Sequence, residues 1–245
     1  MQEFIYHDLY ANEDKLWRSV STRNMLFEFW KKYRLAIPPL CQGRCYDIFE
    51  LGPGAGATLQ FFNKYGKVSG LDTSKLSQQY CLARGISNVM VSNAKTFPLK
   101  SKSFDLCLAV DVIEHIESPQ QAINELYRVC RPGGLVMMVI PAFQFLWSDR
   151  DVRLDHYHRY TTKEIRILVG NAGFEVLKLS YINFFYFPIL WSLVKIKKGR
   201  LKTDVATVPG FLNWVLLKFL DVETSLLKRV NFPLGCSTLL VAKRP

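Results

Sequence analysis

Asp47-Ile48-Phe49-Glu50-Leu51-Gly52-Pro53-Gly54-Ala55-Gly56 is the stretch that decides the fold of this chain. Asp47–Leu51 reads as a strand. Thr58–Tyr65 reads as a helix, with Leu59, Phe62 and Tyr65 on one face and Gly66 as its stop. Between them stands Glu50-x-Gly52-x-Gly54-x-Gly56. Glycines in such a turn let the backbone bend sharply and approach a ligand closely. The first N–H groups of the following helix are offered to an anionic group, a carboxylate or a phosphate. Taken alone the loop also matches a dinucleotide fingerprint, Gly52-x-Gly54-x-x-Ala57.

The alternation continues outward. Lys67–Leu71 is a second strand, and Ser74 caps a helix running to Arg84. Val89–Ser92 is a third strand. Phe104–Val110 is a fourth, apolar on both faces and so central. Ser118 is placed as N-cap and Pro119 as first residue of a helix that Pro132-Gly133-Gly134 ends. Leu135–Pro141 is a fifth strand. Thr161 and Glu164 open a helix to Ala172 with a capping-box pattern, Gly173 lying beyond it. Phe174–Leu179 and Ser237–Ala242 are sixth and seventh strands. Short apolar runs alternating with amphipathic stretches from 46 to 179 spell a βαβα order and a parallel sheet. Asp72, 22 residues after Glu50, ends the second strand, where a carboxylate can accept both hydroxyls of a ribose. A nucleoside held at the carboxyl ends of adjacent parallel strands follows, for a methyl-donor or a nicotinamide cofactor alike.

Three further runs decide between them: Phe97-Pro98-Leu99-Lys100-Ser101-Lys102-Ser103-Phe104-Asp105-Leu106, then Asp111-Val112-Ile113-Glu114-His115-Ile116, then Arg128-Val129-Cys130-Arg131-Pro132-Gly133-Gly134-Leu135. Together with the glycine loop they resemble the class I S-adenosylmethionine methyltransferases. The nearest subgroup is the type 11 family, which includes the ubiquinone-biosynthesis C-methyltransferases. The resemblance covers roughly residues 46–180 and says little about the acceptor. It implies an α/β fold: a Rossmann-like three-layer αβα sandwich around a seven-stranded, mostly parallel sheet with the last strand antiparallel. It also implies S-adenosyl-L-methionine as cofactor. Glu50 would orient the loop and approach the methionine ammonium. Gly52, Gly54 and Gly56 would pass beneath the cofactor, and Asp72 with Thr73 would lie at the ribose. Asn93 stands where the family usually has an Asp facing the adenine amino group, and its amide oxygen can accept the same bond. Asp111, Val112 and His115 would line the methionine side. The run Asp155-His156-Tyr157-His158-Arg159-Tyr160-Thr161 looks like the H-x-R-x-[YF]-[ST] segment of many relatives. A general base is needed only if the acceptor must lose a proton, and His115, His156, His158 and Tyr160 are the candidates. Each has a plainer role open to it: glycines shaping a turn, Asp72 capping a helix, His115 serving as a satisfied histidine, His158 and Arg159 pinning a loop.

A chain of 245 residues, 49% apolar and 22% charged, is globular. Its net charge is +11. Residues 180–245 hold 10 basic and 3 acidic groups, so most of the excess is there. A basic surplus confined to an apolar tail suits an anionic membrane surface better than nucleic acid. No nucleic-acid partner is expected, and no Asn-Pro-Pro-Tyr or Asp-Pro-Pro-Tyr signature follows the fourth strand. The six cysteines show no zinc spacing, so no metal is expected, and they read as buried free thiols in a reducing cytosol. No signal peptide is legible at Met1-Gln2-Glu3-Phe4. The run Tyr181–Val194, broken by Asn183 and Pro188, is too short to span a bilayer. The expected location is cytoplasmic, with membrane association open.

Two segments lie outside the alternation. Residues 1–45 form an expected helical cap bearing Leu9, Leu16, Trp17, Met25, Phe29 and Trp30. Residues 46–245 make the catalytic domain, with 180–235 inserted between its last two strands. That insertion joins Tyr181–Val194 to Lys195-Ile196-Lys197-Lys198-Gly199-Arg200-Leu201-Lys202, then to Phe211, Trp214, Val215, Leu217 and Lys218. Aromatic residues beside cations suit a membrane interface across 181–229; a substrate lid or a dimer contact is the plainer reading. The leading function is methyl transfer to a small-molecule or lipid-like acceptor of quinone or polyprenyl type. A nicotinamide oxidoreductase and a non-catalytic interaction module at a membrane are the rivals.

Overall fold

The computed structural model describes residues 7, 10–34, 45–93, 95–197, 200 and 209–245. Leu9, Cys41, and Lys198, Gly199, Leu201 and Lys202 of the basic run lie outside the described residues. Seven strands build one sheet: β1 (Tyr46–Leu51), β2 (Gly66–Asp72), β3 (Val89–Val91), β4 (Phe104–Val110), β5 (Cys130–Pro141), β6 (Glu175–Ile182) and β7 (Ser237–Lys243). Their spatial order is β3-β2-β1-β4-β5-β7-β6. Neighbours pair in parallel except around β7, which runs antiparallel to both β5 and β6. The strand order reverses between β1 and β4, and such a switch point opens a crevice at the carboxyl ends.

The sheet is covered on both faces, so its central strands are almost wholly apolar. Alternate residues supply the two cores. Phe49, Leu51, Cys107, Ala109, Val136 and Met138 face one layer, that of α4 (Pro119–Val129) and α6 (Thr162–Asn171). Ile48, Leu106, Leu108, Leu135 and Met137 face the other, which includes α2 (Ala57–Phe62) and α3 (Lys75–Ala83). The same layer takes α1 (Trp17–Tyr33), which buries Met25, Leu26, Phe29 and Trp30 there. Each fully buried side chain of this size contributes about 1.5–3 kcal/mol.

Several boundaries depart from the sequence reading, among them the end of β6, which runs to Ile182 and takes Tyr181, expected in the insertion, into the sheet. The helix after the glycine loop stops at Phe62, and Gly66 opens β2 instead of ending a helix. A Cβ at Gly66 would lie 2.3 Å from the Tyr46 carbonyl oxygen, so close strand pairing selects that glycine. The helix expected to run to Pro132 ends at Val129, and Arg131-Pro132-Gly133-Gly134 belongs to β5. There the Arg131 guanidinium ties the start of β5 to Asp105 of β4 (2.7 Å) and Asp47 of β1 (2.8 Å), at the end of the sheet away from the glycine loop. Cys45 is exposed, whereas Cys81, Cys107, Cys130 and Cys236 are buried.

Between β6 and β7 stand α7 (Phe187–Ile196) and α8 (Gly210–Leu227). α8 lies along α1: Trp17 N–H donates to Asn213 Oδ1 (3.1 Å), and Lys228, just past α8, pairs with Glu28. Among the described residues no helix is long and apolar enough to cross a membrane. α5 (Asp149–Arg153) completes the helices, between β5 and α6.

Candidate active site

The tips of β1 and β2 bring the first group of expected residues together. Gly52, Gly54 and Gly56 all have positive φ (+67°, +56° and +88°), which explains their residue type. Gly52 N–H donates to Leu71 O (2.8 Å) and Gly54 N–H to Asp72 Oδ2 (3.3 Å), so the loop hangs on β2. A Cβ at Gly52 would strike Val112 Cγ2 at 2.4 Å, and one at Gly56 would strike Cys81 Sγ at 2.8 Å. A Cβ at Gly54 would meet nothing within 4 Å. The loop is therefore clamped at its ends and open in its middle.

Glu50 is buried beneath that loop, and its Oε2 has no hydrogen-bond partner. Burial, with Glu13 and Asp72 nearby, pushes its carboxyl well above the usual range. An orphaned buried carboxyl oxygen beside an open backbone cradle fits a ligand bearing an ammonium group and a nucleoside. Asp72 Oδ1 accepts from Ser74 N–H (2.9 Å) in the turn before the next helix, so this carboxylate braces the turn as well as the loop, while Ser74 itself caps the helix by accepting from Leu76 N–H (3.1 Å). Thr73 is exposed. Asn93 is exposed too, but its Oδ1 already accepts from Lys95 N–H (3.0 Å) and Thr96 N–H (3.3 Å). The oxygen expected to meet an adenine is thus committed to a turn.

The free helix terminus expected after the loop is also taken. Glu13, from the segment before α1, accepts from Ala57 N–H (3.1 Å) and pairs with Arg84 (3.0 Å). Arg84 Nε in turn donates to Ala55 O (2.7 Å). Burial raises the Glu13 carboxyl from 4.5 to about 7, against the pull of Arg84 and Arg23. Sequence reading missed Glu13 because nothing local marks a contact with a loop more than forty residues downstream.

The second group lies beyond β4 and β5. Asp111, exposed at the tip of β4, has φ +48°, a conformation costing a non-glycine residue about 1–3 kcal/mol. A short 3₁₀ turn, Ile113–His115, follows. It sets His115 edge-on against His156, with ring centroids 4.7 Å apart. His156 Nδ1 lies 2.8 Å from Asp151 Oδ1, and its Nε2 faces Glu114 Oε1 at 4.0 Å. Asp151 is saturated: it also takes Ser148 N–H (2.9 Å) and two bonds from Arg159 (2.7 and 3.1 Å). Burial acts to raise its carboxyl, but the bonds from His156 and Arg159 outweigh it and hold the group well below the usual range. Burial, then His156, pushes His115 from 6.5 down to about 4, leaving a neutral imidazole.

The other two candidate bases fare differently. His158 Nε2 sits 3.0 Å from Glu164 Oε1, the residue whose other oxygen closes the Thr161 capping box (2.7 Å). Its ring therefore pins the entry of α6. Tyr160 is buried in the core, and burial pushes its phenol up to about 12, which disqualifies it as a base near neutrality. Glu114, Asp151 and Arg150 carried no expectation. Arg150 Nε is buried without a partner, and burial with Arg18 nearby lowers its guanidinium to about 10. Glu114 had one signal: a carboxylate directly before a histidine at the end of the central strand.

A doubly wound sheet with a ligand cradle at its switch point defines a nucleoside-binding class of domain. Comparison with known proteins narrows it. The methyltransferase-domain model of type 11 matches residues 49–138. A probable S-adenosylmethionine-dependent methyltransferase of Mycolicibacterium smegmatis is 31% identical over 140 residues, covering 56% of this chain and 54% of its own length. The chain spans about half the length of the first curated relatives it matches. An S-adenosylmethionine-dependent methyltransferase from Archaeoglobus fulgidus superposes with a TM-score of 0.55 at 16% identity, covering 90% of this chain and 94% of that one. The [4+2]-cyclase SpnF superposes at 0.54 and 16%, covering 88% and 81%, so the fold by itself does not specify the reaction. Residues 49–138 thus carry a methyltransferase domain of type 11, similar to that of S-adenosylmethionine-dependent methyltransferases.

Proposed function

We propose that this protein transfers a methyl group from S-adenosylmethionine to a small, lipid-like acceptor of quinone or polyprenyl type at a membrane surface. The observation carrying methyl transfer is the pairing of the open Gly54 face with the unpartnered Glu50 oxygen. When bound there, the sulfonium cofactor supplies an electrophilic methyl group. Glu50 would hold its ammonium, the glycine loop would lie beneath it, and Asp72 would meet the ribose. The chain's own work is alignment and exclusion of water, and alignment alone can supply about 7–11 kcal/mol. His115, partly exposed beside the tip of β4, would line the methionine side.

The lipid-like acceptor rests on a different observation. Among the described residues, twelve of the nineteen exposed large hydrophobic side chains lie between Phe185 and Leu234, including Trp191, Phe211, Trp214 and Phe219. Concentration on one segment, rather than scatter, is the mark of an apolar contact surface. Lys195 lies over the Trp191 ring (4.3 Å), joining a cation to that surface. Peripheral docking on anionic lipid would deliver the acceptor to the carboxyl edge of the sheet, where Arg150 supplies a cation for a polar end group.

Calorimetric titration with S-adenosylhomocysteine and with NAD tests the cofactor; NAD binding alone would replace this reading with the oxidoreductase. Flotation with anionic vesicles at low salt tests the surface, and a chain that stays at the bottom removes the membrane. Mass spectrometry of a lipid and quinone extract, incubated with enzyme and deuterated methyl donor, identifies the acceptor.

A further inference from the structure

We propose that Glu114, His115 and His156 form a binding site for a divalent transition-metal ion beside the tip of β4. One ligand atom from each lies within 4.8 Å of the others. The two histidines come from separate segments, the 3₁₀ turn after β4 and the loop after α5, and the fold alone brings them edge to edge.

Two features separate this cluster from a chance gathering. First, Glu114 is wholly buried, yet neither carboxyl oxygen has a hydrogen-bond partner. A buried carboxyl normally finds partners, and leaving one orphaned carries the full penalty of its desolvation. A cation between Glu114 and the imidazoles removes that cost. Second, His156 is oriented as a metal ligand should be. Its Nδ1 bonds to the Asp151 carboxylate, which fixes the proton there and leaves the Nε2 lone pair facing Glu114 and His115. Asp151 is held rigid in turn by Arg159.

Two imidazoles and one carboxylate suit ions from manganese to zinc, whereas magnesium and calcium favour oxygen sets. Three protein ligands leave coordination positions open. Those positions would take oxygen donors of the acceptor, so the ion would select an oxygen-bearing acceptor and hold it near exposed Asp111. That last assignment rests on the methyltransferase reading; the metal site itself does not.

The test is titration of the EDTA-treated full chain with Co²⁺, read by its visible d–d absorption, and with Mn²⁺, read by loss of the free-ion EPR signal. One ion per chain is expected. His156→Ala and His115→Ala should abolish stoichiometric binding. Asp151→Asn, which loosens the orientation of His156 along with the Arg159 pair, should weaken it about 10- to 100-fold in chain that remains folded. Glu114→Gln keeps the volume and guards against loss of fold, which circular dichroism checks for every variant; it too should lose binding. Failure to bind either ion at millimolar concentration overturns the inference, as does binding that folded His115→Ala or Glu114→Gln leaves unchanged. S-adenosylhomocysteine is titrated into the same samples. Binding of that ligand without metal rejects the metal site and leaves the methyltransferase standing; metal without that ligand does the reverse.

Discussion

The two halves of the sheet edge are built from different materials. On the β1–β2 side the site is backbone: three glycines with positive φ, an open cradle, and one carboxyl below it. On the β4–β5 side it is side chains: a buried network of Glu114, Asp151, His156 and Arg159 drawn from residues 114–159. Backbone sites are specified locally, by what residues cannot be, and so tolerate nothing larger than hydrogen at fixed positions. Side-chain networks are specified by long-range packing, and removing one member strands the rest. The first half should fail by losing ligand along with stability, the second by losing stability most of all.

The largest effect tests that division. Arg159→Ala leaves Asp151 buried without its bidentate partner, and breaking a buried pair costs about 3–5 kcal/mol. Urea unfolding should show this loss; a change below 1 kcal/mol would erase the distinction between the halves. Gly52→Ala adds a Cβ 2.4 Å from Val112 Cγ2 at φ +67°, an expected loss of about 2–3 kcal/mol together with binding of S-adenosylhomocysteine. Adding Val112→Ala should restore part of the stability, because the struck atom is then absent.

The third prediction concerns pH. The folded chain keeps a proton on Glu13 up to about pH 7, whereas an ordinary carboxyl loses it near 4.5. Stability from this group is therefore complete below pH 4.5 and declines as pH rises through 7. Glu13→Gln should remove that slope, on the order of 2 kcal/mol when unfolding at pH 5 and pH 7.5 is compared with the parent. A parallel slope in both chains would mean that Glu13 is not anchored on the loop. The smallest effect is Thr161→Ala, which opens the α6 capping box and should cost about 1 kcal/mol by thermal melting. If His158→Ala costs as much, its bond to Glu164 is the whole of its contribution.

The same contrast explains what the sequence disclosed. The glycine loop, Asp72 at the second strand's end and the Thr161–Glu164 cap are short-range patterns, and each stands where its spacing placed it. β4 was legible to the residue because both its faces are apolar. Arg131-Pro132-Gly133-Gly134 looked like a helix stop, since proline and glycine carry that meaning locally; a clasp on Asp47 and Asp105 requires knowing that β1, β4 and β5 are neighbours. Glu13 and the partnership of Glu114 with His156 were hidden for the same reason. Asn93 and Tyr160 had the right chemistry but surroundings that no motif encodes.

The placement of β7 has a consequence for biosynthesis. Among the described residues β6 pairs with no strand except β7, and residues 183–236 are made between the two. At ordinary ribosomal rates of about 5–20 residues per second, β6 waits on the order of 3–10 s for its partner. Throughout that interval a nascent chain presents an unpaired strand edge together with the greasy helices α7 and α8. Those seconds are when trigger-type chaperones or a nearby bilayer have most to offer the polypeptide, and when crowding of polysomes would do it most harm.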